Sequence, residues 1–126
     1  MSENLFFVVE LEVKPDQIAD LKQVAEEMVG LAKQNEPGTL NYEYFFNKDA
    51  GLCHIYERYV SPAALQAHSS SFPQGLQMRS QAFRPLRMAA YGSLPDEIRE
   101  QRIDPISRAV PGFTASFFAP LSGFTR

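Results

Sequence analysis

Between Glu36 and Phe72 the chain gathers Tyr42, Tyr44, Tyr56, Glu57, Tyr59 and His68. These residue types can do acid–base chemistry on a small aromatic molecule. An imidazole titrates near neutrality and serves as a base. Phenolic hydroxyls can donate to a developing oxyanion while their rings pack against an aromatic ligand. Each residue also has a plainer role. His68 can hydrogen-bond a backbone carbonyl at a helix end, and the tyrosines can be core residues whose hydroxyls reach solvent. Glu57 can form a structural ion pair, because perturbed acids also occur in structural networks. Cys53 reads as a small core residue and His54 as an edge residue. Arg79, Arg84 and Arg87 either meet an acidic substrate or line a solvated surface.

The elements that must position these residues follow from periodicity. Leu5 to Val13 alternates, with Leu5, Phe7, Val9, Leu11 and Val13 on one face and Phe6, Val8, Glu10 and Glu12 on the other; this is a strand. Pro15 and Asp16 open a helix in which Ile18, Leu21, Val24, Ala25, Met28 and Leu31 keep helical spacing. Pro37-Gly38 ends it. Leu40 to Asn47 and Leu52 to Val60 form a hairpin around Lys48-Asp49-Ala50-Gly51. Whether Tyr42, Tyr44 and Tyr56 share a face depends on hairpin register, which the residues alone leave open. Ser61-Pro62 starts a helix to about Ser70, with Leu65 and His68 on one side. A second short helix, Gln74 to Phe83, and a last strand, Pro85 to Leu94, complete the order β-α-β-β-α-β. That order predicts an α+β, ferredoxin-like, four-stranded antiparallel sheet with helices on one face, over residues 1–94.

Residues 95–126 form an extension of the same domain. Ser93 to Arg102 reads as a short helix, and Pro111-Gly112 as a turn. Phe113, Phe117, Phe118, Leu121 and Phe124 make an aromatic terminus that must dock, as packing or as a lid. The strands carry large apolar side chains on both faces, so the face without helices needs a cover. A second copy related by two-fold symmetry, closing a dimeric barrel, is the expectation; the rival is the chain's own tail.

The composition is 44% hydrophobic and 21% charged with net charge -3, which suits a soluble domain and gives no electrostatic footprint for nucleic acid. No basic segment precedes an apolar stretch, and no apolar run reaches the roughly 18 residues of a membrane span. With a single cysteine, Cys53, these features lead us to expect a cytoplasmic protein without internal disulfides. Two histidines and one cysteine without tight spacing give no structural zinc pattern. Lys14-Pro15-Asp16 stands where a nucleotide-binding Gly-rich turn would follow strand one, so no nicotinamide or flavin cofactor is expected.

Three stretches, in order, carry a resemblance: Glu36-Pro37-Gly38-Thr39-Leu40-Asn41-Tyr42-Glu43, Ile55-Tyr56-Glu57-Arg58-Tyr59 and Ala63-Ala64-Leu65-Gln66-Ala67-His68. With the element order from Leu5 to Leu94 they make the chain resemble the antibiotic biosynthesis monooxygenase family of small dimeric α+β barrels. Tyr59 stands where members often carry Trp, and Ser71-Phe72-Pro73 where a second His often follows the helix. The chain has no Trp and Asn4 precedes the strand, a poor match to the haem-degrading branch. The resemblance implies a cofactor-independent monooxygenase that oxidises a quinol-like or polycyclic aromatic small molecule with dioxygen. Its implied catalytic residues are His68, Tyr56 and Glu57, and its substrate-binding residues Tyr42, Tyr44 and Tyr59. The alternatives are a metabolite-binding protein or non-redox isomerase on the same barrel, or a structural dimer without activity.

Overall fold

The computed structural model describes residues 4–126. Strand β1 (Leu5–Glu12) leads through a 3-10 turn (Pro15–Gln17) into helix α1 (Ile18–Asn35). Strands β2 (Thr39–Asn47) and β3 (Leu52–Tyr59) follow, then α2 (Pro62–Ser70), α3 (Gln74–Ser80) and β4 (Arg84–Tyr91). β3 and β4 both pair antiparallel with β1, and β2 pairs antiparallel with β3. The ferredoxin-like core is therefore present, as an open sheet.

Local chemistry accounts for the boundaries. The Ser61 hydroxyl accepts the Ala64 amide at the start of α2, and Pro62 occupies the first turn, where its missing N–H costs nothing. Pro85 sits in β4 where the pairing to β1 shifts between Glu10 and Leu11, a bulge that tolerates a residue without a donor. β4 stops at Tyr91 rather than running to Leu94. Gly92 takes φ 118°, and a Cβ there would lie 2.6 Å from the Asn4 carbonyl, so the strand turns away at a position only glycine fits.

The extension departs most from expectation. Its helix does not end near Arg102; it runs on through α4 (Asp96–Ile98), a π turn (Arg99–Ile103) and α5 (Asp104–Ala109). In the wide turn the Asp104 amide donates to the Arg99 carbonyl five residues back. Pro105 follows at once and has no N–H to offer an ordinary helical bond, so the widened turn carries the chain past it. The aromatic terminus then supplies a fifth strand, β5 (Thr114–Phe118), giving the order β2-β3-β1-β4-β5. β5 runs parallel to β4, which requires a crossover, and α4 to α5 is that crossover.

The crossover packs on the sheet face that the other helices cover. Ile98, Ile103 and Phe113 join Leu5, Phe7, Tyr59, Leu65, Met88 and Ala90 in one buried cluster. A second cluster, with Leu21, Val24, Met28, Cys53, Phe72 and Phe83, lies under α1 and α3. The rival expectation that the tail covers the other face fails. That face stays open: Phe45, Tyr91 and Phe118 are exposed, and Phe6, Val8 and Tyr56 are half-buried. Among the described residues no helix is long and apolar enough to cross a membrane.

Because Ile103 is 3% exposed inside the cluster that holds Leu5, Phe7 and Tyr59, truncating it leaves a cavity that the sheet and crossover cannot fully fill. Ile103→Ala is expected to destabilise the fold by about 2–5 kcal/mol. Met78, 64% exposed, provides the contrast, and Met78→Ala is expected to stay within about 0.5 kcal/mol. Urea unfolding of both variants measures the difference.

Candidate active site

His68 stands in the last turn of α2 and points into the fold, 9% exposed. Three rings cage its imidazole: Tyr42 at 4.8 Å, Phe72 at 5.0 Å and Tyr59 at 5.3 Å between centroids. Its Nδ1 lies 2.6 Å from Glu36 Oε1, and its Nε2 lies 3.7 Å from Glu57 Oε1. The imidazole thus sits between two carboxyl groups.

The two acids have different surroundings. Glu36 leaves α1 at its C-terminal end, with its amide donating to the Ala32 carbonyl. Thr39 donates to Glu36 Oε1 at 2.7 Å and Ser71 donates to Oε2. Burial pushes the Glu36 carboxyl up, but these hydroxyls and the imidazole outweigh it and hold the group below the usual carboxylate range. Glu36 is therefore the fixed anion, and the His68 nitrogen facing it carries the proton and donates. Glu57, in mid-β3, accepts a hydrogen bond from the Tyr59 hydroxyl. Burial pushes its carboxyl above the usual range, and the charge of Glu36 adds to this, against His68 and the Tyr59 bond. One acid stays ionised while the other is poised to hold or release a proton.

Strand register decides which predicted residues meet. Tyr42 is opposite Glu57, and Tyr44 opposite Ile55, so both tyrosines share the helix-covered face with Glu57 and Tyr59. Tyr56 is opposite Glu43 and points to the open face, where its ring meets Phe6 at 5.9 Å. The structure therefore separates Tyr56 from His68 and Glu57, correcting its grouping with them. Tyr42 and Tyr44 hydrogen-bond each other at 2.9 Å and both direct their hydroxyls at Met28 Sδ. They buttress the site through their rings and offer no free donor. Burial pushes both hydroxyls, and that of Tyr59, well above the ordinary phenol value.

A cavity of about 130 Å³ opens beside Glu57, walled by Phe7, Val9, Leu65, Met88, Ile106 and Phe113. A cavity of about 150 Å³ with such walls holds a benzene ring, so this one suits a small ring. Ile106 and Phe113 belong to the extension, as do Arg102 and Ile103, which also reach the cavity. Residue reading missed this wall, and it missed Glu36 and Ser71. The available signal for Glu36 was an acid three residues before Thr39 at a helix stop, two residues before Gly38. A Cβ on Gly38 would lie 2.7 Å from Ala64 Cβ, so the chain there presses against α2 and brings Glu36 to His68. Cys53 is a core residue whose thiol burial pushes up to about 11. His54 pairs with Glu10 on the open face at 2.8 Å.

The family model described as antibiotic biosynthesis monooxygenase matches residues 5–80, more than half of the chain, and the chain belongs to that family. No curated protein matches the chain. Among solved structures, MupZ from Pseudomonas fluorescens is similar over 100% of this chain and 91% of its own, at 19% identity and TM-score 0.75. A Caulobacter crescentus CB15 protein, provisionally assigned as an antibiotic biosynthesis monooxygenase, is 27% identical, over 64% of this chain and 76% of its own, at TM-score 0.55. Rv0793 from Mycobacterium tuberculosis is 24% identical, over 73% and 96%, at TM-score 0.58. The match to MupZ concerns fold alone, and it includes the extension that lies beyond the family match.

The two acids are expected to give opposite pH signatures in stability. Glu36, lowered from 4.5, contributes stability above that value and loses it as pH falls through its folded value. Glu57, raised from 4.5, favours the folded state at low pH and loses that contribution as pH rises through its folded value. Thermal melts from pH 3 to pH 8 are expected to show Glu36→Gln losing stability at neutral pH and Glu57→Gln gaining it relative to acid. Melts that move in the same direction for both variants would contradict the assignment.

Proposed function

We propose, from membership of this family, that the chain is a cofactor-independent monooxygenase acting on a quinol-like or polycyclic aromatic small molecule in the cavity beside Glu57. The observation that carries this reading is a proton-accepting carboxyl at an apolar cavity of ring size, backed by a fixed imidazole–carboxylate pair. In its ionised form Glu57 takes the acidic proton of the bound substrate, and its raised affinity for protons makes it a stronger base than an exposed carboxylate. The neutral carboxyl then donates a hydrogen bond to the oxyanion it has created. His68, held by Glu36, sets the charge beside Glu57 and is a positioning residue; Tyr59 holds the carboxyl in place.

The electron-rich anion supplies the electrons for dioxygen. At a ring C–H of the quinol, one oxygen atom is inserted to give a C–OH, the ring ends as the hydroxyquinone, and the other oxygen leaves as water with the two hydrogens that the ring gives up. The quinol loses four electrons, two at the new C–O bond and two in becoming a quinone, and dioxygen gains four. Apolar walls support the step by keeping water away from the anion. A second reading, non-redox isomerisation, is favoured by the same carboxyl, since moving a proton between two carbons needs only a group that can take and return it.

We also propose that a second copy covers the open sheet face and closes a dimeric barrel. Exposed Phe45, Tyr91 and Phe118 on that face support it, because a two-fold partner brings an equally apolar surface. Sedimentation at micromolar concentration is expected to give a dimer, and Val8→Asp a monomer. A single-copy wild-type particle would refute the pairing.

Oxygen uptake with a panel of hydroquinones tests the oxidation. Glu57→Gln is expected to lower the rate by about 10²–10⁴-fold, with a smaller loss in His68→Ala. Tyr56→Phe, on the open face, is expected to keep it. Uptake no faster than buffer, with deuterium entering an enolisable ring ketone under nitrogen in heavy water, would transfer the assignment to the isomerase.

A further inference from the structure

Among the described residues, Arg102 is the one cationic residue lining the cavity beside Glu57. It forms no hydrogen bond or ion pair with any described residue, Glu57 included. Four other arginines are occupied. Arg79 pairs with Glu27, Arg87 with Glu10, and Arg84 donates to the Pro111 carbonyl. Arg99 stacks 3.9 Å over the Phe117 ring and lies 3.7 Å from Asp104.

The backbone places Arg102 deliberately with respect to the cavity. It belongs to the π turn, a rare helical geometry that recurs at functional sites because it re-aims side chains. The turn is anchored on both sides of Arg102, by Arg99 on Phe117 and by Ile103, which is 3% exposed in the cavity wall. An ordinary helical turn would shift the register of every following residue. A flexible arginine held beside an apolar cavity, with its guanidinium solvated and unspent, is suited to accept a carboxylate in two parallel hydrogen bonds.

We propose that Arg102 binds a carboxylate on the substrate, so that the substrate class is a small ring-bearing acid with its ring in the apolar cavity and its acidic tail at the mouth. The inference rests on the proposed reading for the place of the substrate, and it adds the anionic tail. The carboxylate then fixes which ring position faces Glu57, because the ring is tethered at one end and walled elsewhere. Arg102 acts as a specificity-determining residue, and the extension, which lies beyond the family match, supplies it.

Calorimetric titration under nitrogen with gentisate, methyl gentisate and hydroquinone separates charge from ring. Wild type is expected to bind gentisate about tenfold more tightly than its methyl ester, the scale of one partly exposed charge-assisted contact. Arg102→Gln is expected to bring the acid to within about twofold of the ester while leaving the ester unchanged. Arg102→Lys is expected to retain part of the preference, since a point charge lacks the paired donors. Equal affinity for acid and ester in wild type, a preference that survives Arg102→Gln, or no binding of any of the three overturns the proposal. An intact preference for the acid in protein that consumes no oxygen overturns the oxidation and leaves the Arg102 contact standing.

Discussion

Everything at the site depends on two carboxyl groups sharing one buried space with a single imidazole between them. Two buried anions so close would repel strongly, so the fold gives them unequal surroundings. Glu36 receives Thr39, Ser71 and His68, enough donors to remain charged. Glu57 receives the Tyr59 hydroxyl and faces an apolar cavity, where the charged form is costly. The asymmetry turns a pair of acids into a fixed anion and a proton-exchanging group. The remaining core supports it: three rings stop the imidazole from turning, and Met28 occupies the hydroxyls of Tyr42 and Tyr44.

The extension converts a groove into a cavity. Without Ile103, Ile106 and Phe113, the cavity beside Glu57 would lose the wall that the extension supplies, and the carboxyl part of the burial that raises its proton affinity. The parallel strand β5 is the anchor for this wall. By pairing with β4 it fixes both ends of the crossover, and the crossover must then lie across the sheet above Phe7 and Met88. Core packing and the candidate site therefore share residues here, since the side chains that close the cluster around Phe7 and Tyr59 also line the cavity beside Glu57.

The opposite face follows a different logic. It also carries a polar trio in which Glu10 accepts from His54 and Arg87, at 2.8 and 3.0 Å. Burial pushes Glu10 up, yet these two donors prevail and hold it below the usual carboxylate range. Tyr91 and Phe118 stack at 5.1 Å, joining β4 to the new edge strand.

Much of this was legible in residue order. Alternation in Leu5 to Val13 and helical spacing from Ile18 to Leu31 report local burial, which the chain's own period encodes. Ser61-Pro62 and Pro37-Gly38 marked boundaries through backbone chemistry alone. Alternation along β3 already put Tyr56 on the face opposite Glu57, but which of the two faces Tyr42 shares was not legible, because a one-residue slip in the hairpin exchanges the faces and nothing local forbids it. Glu36 and His68 are 32 residues apart, and they meet only because Gly38 lets the start of β2 close on α2. The tail's aromatic residues announced docking, which Phe113 and Phe117 do while Leu121 and Phe124 stay exposed, but they gave no sign that the tail would add a parallel strand. By itself, then, the sequence determined the elements of the ferredoxin-like core and their apolar faces, set by short-range periodicity and capping, while the family came through the resemblance of three motifs. Only the tertiary structure decided which acid meets the imidazole and what closes the cavity, because those depend on distances between elements that no local pattern records.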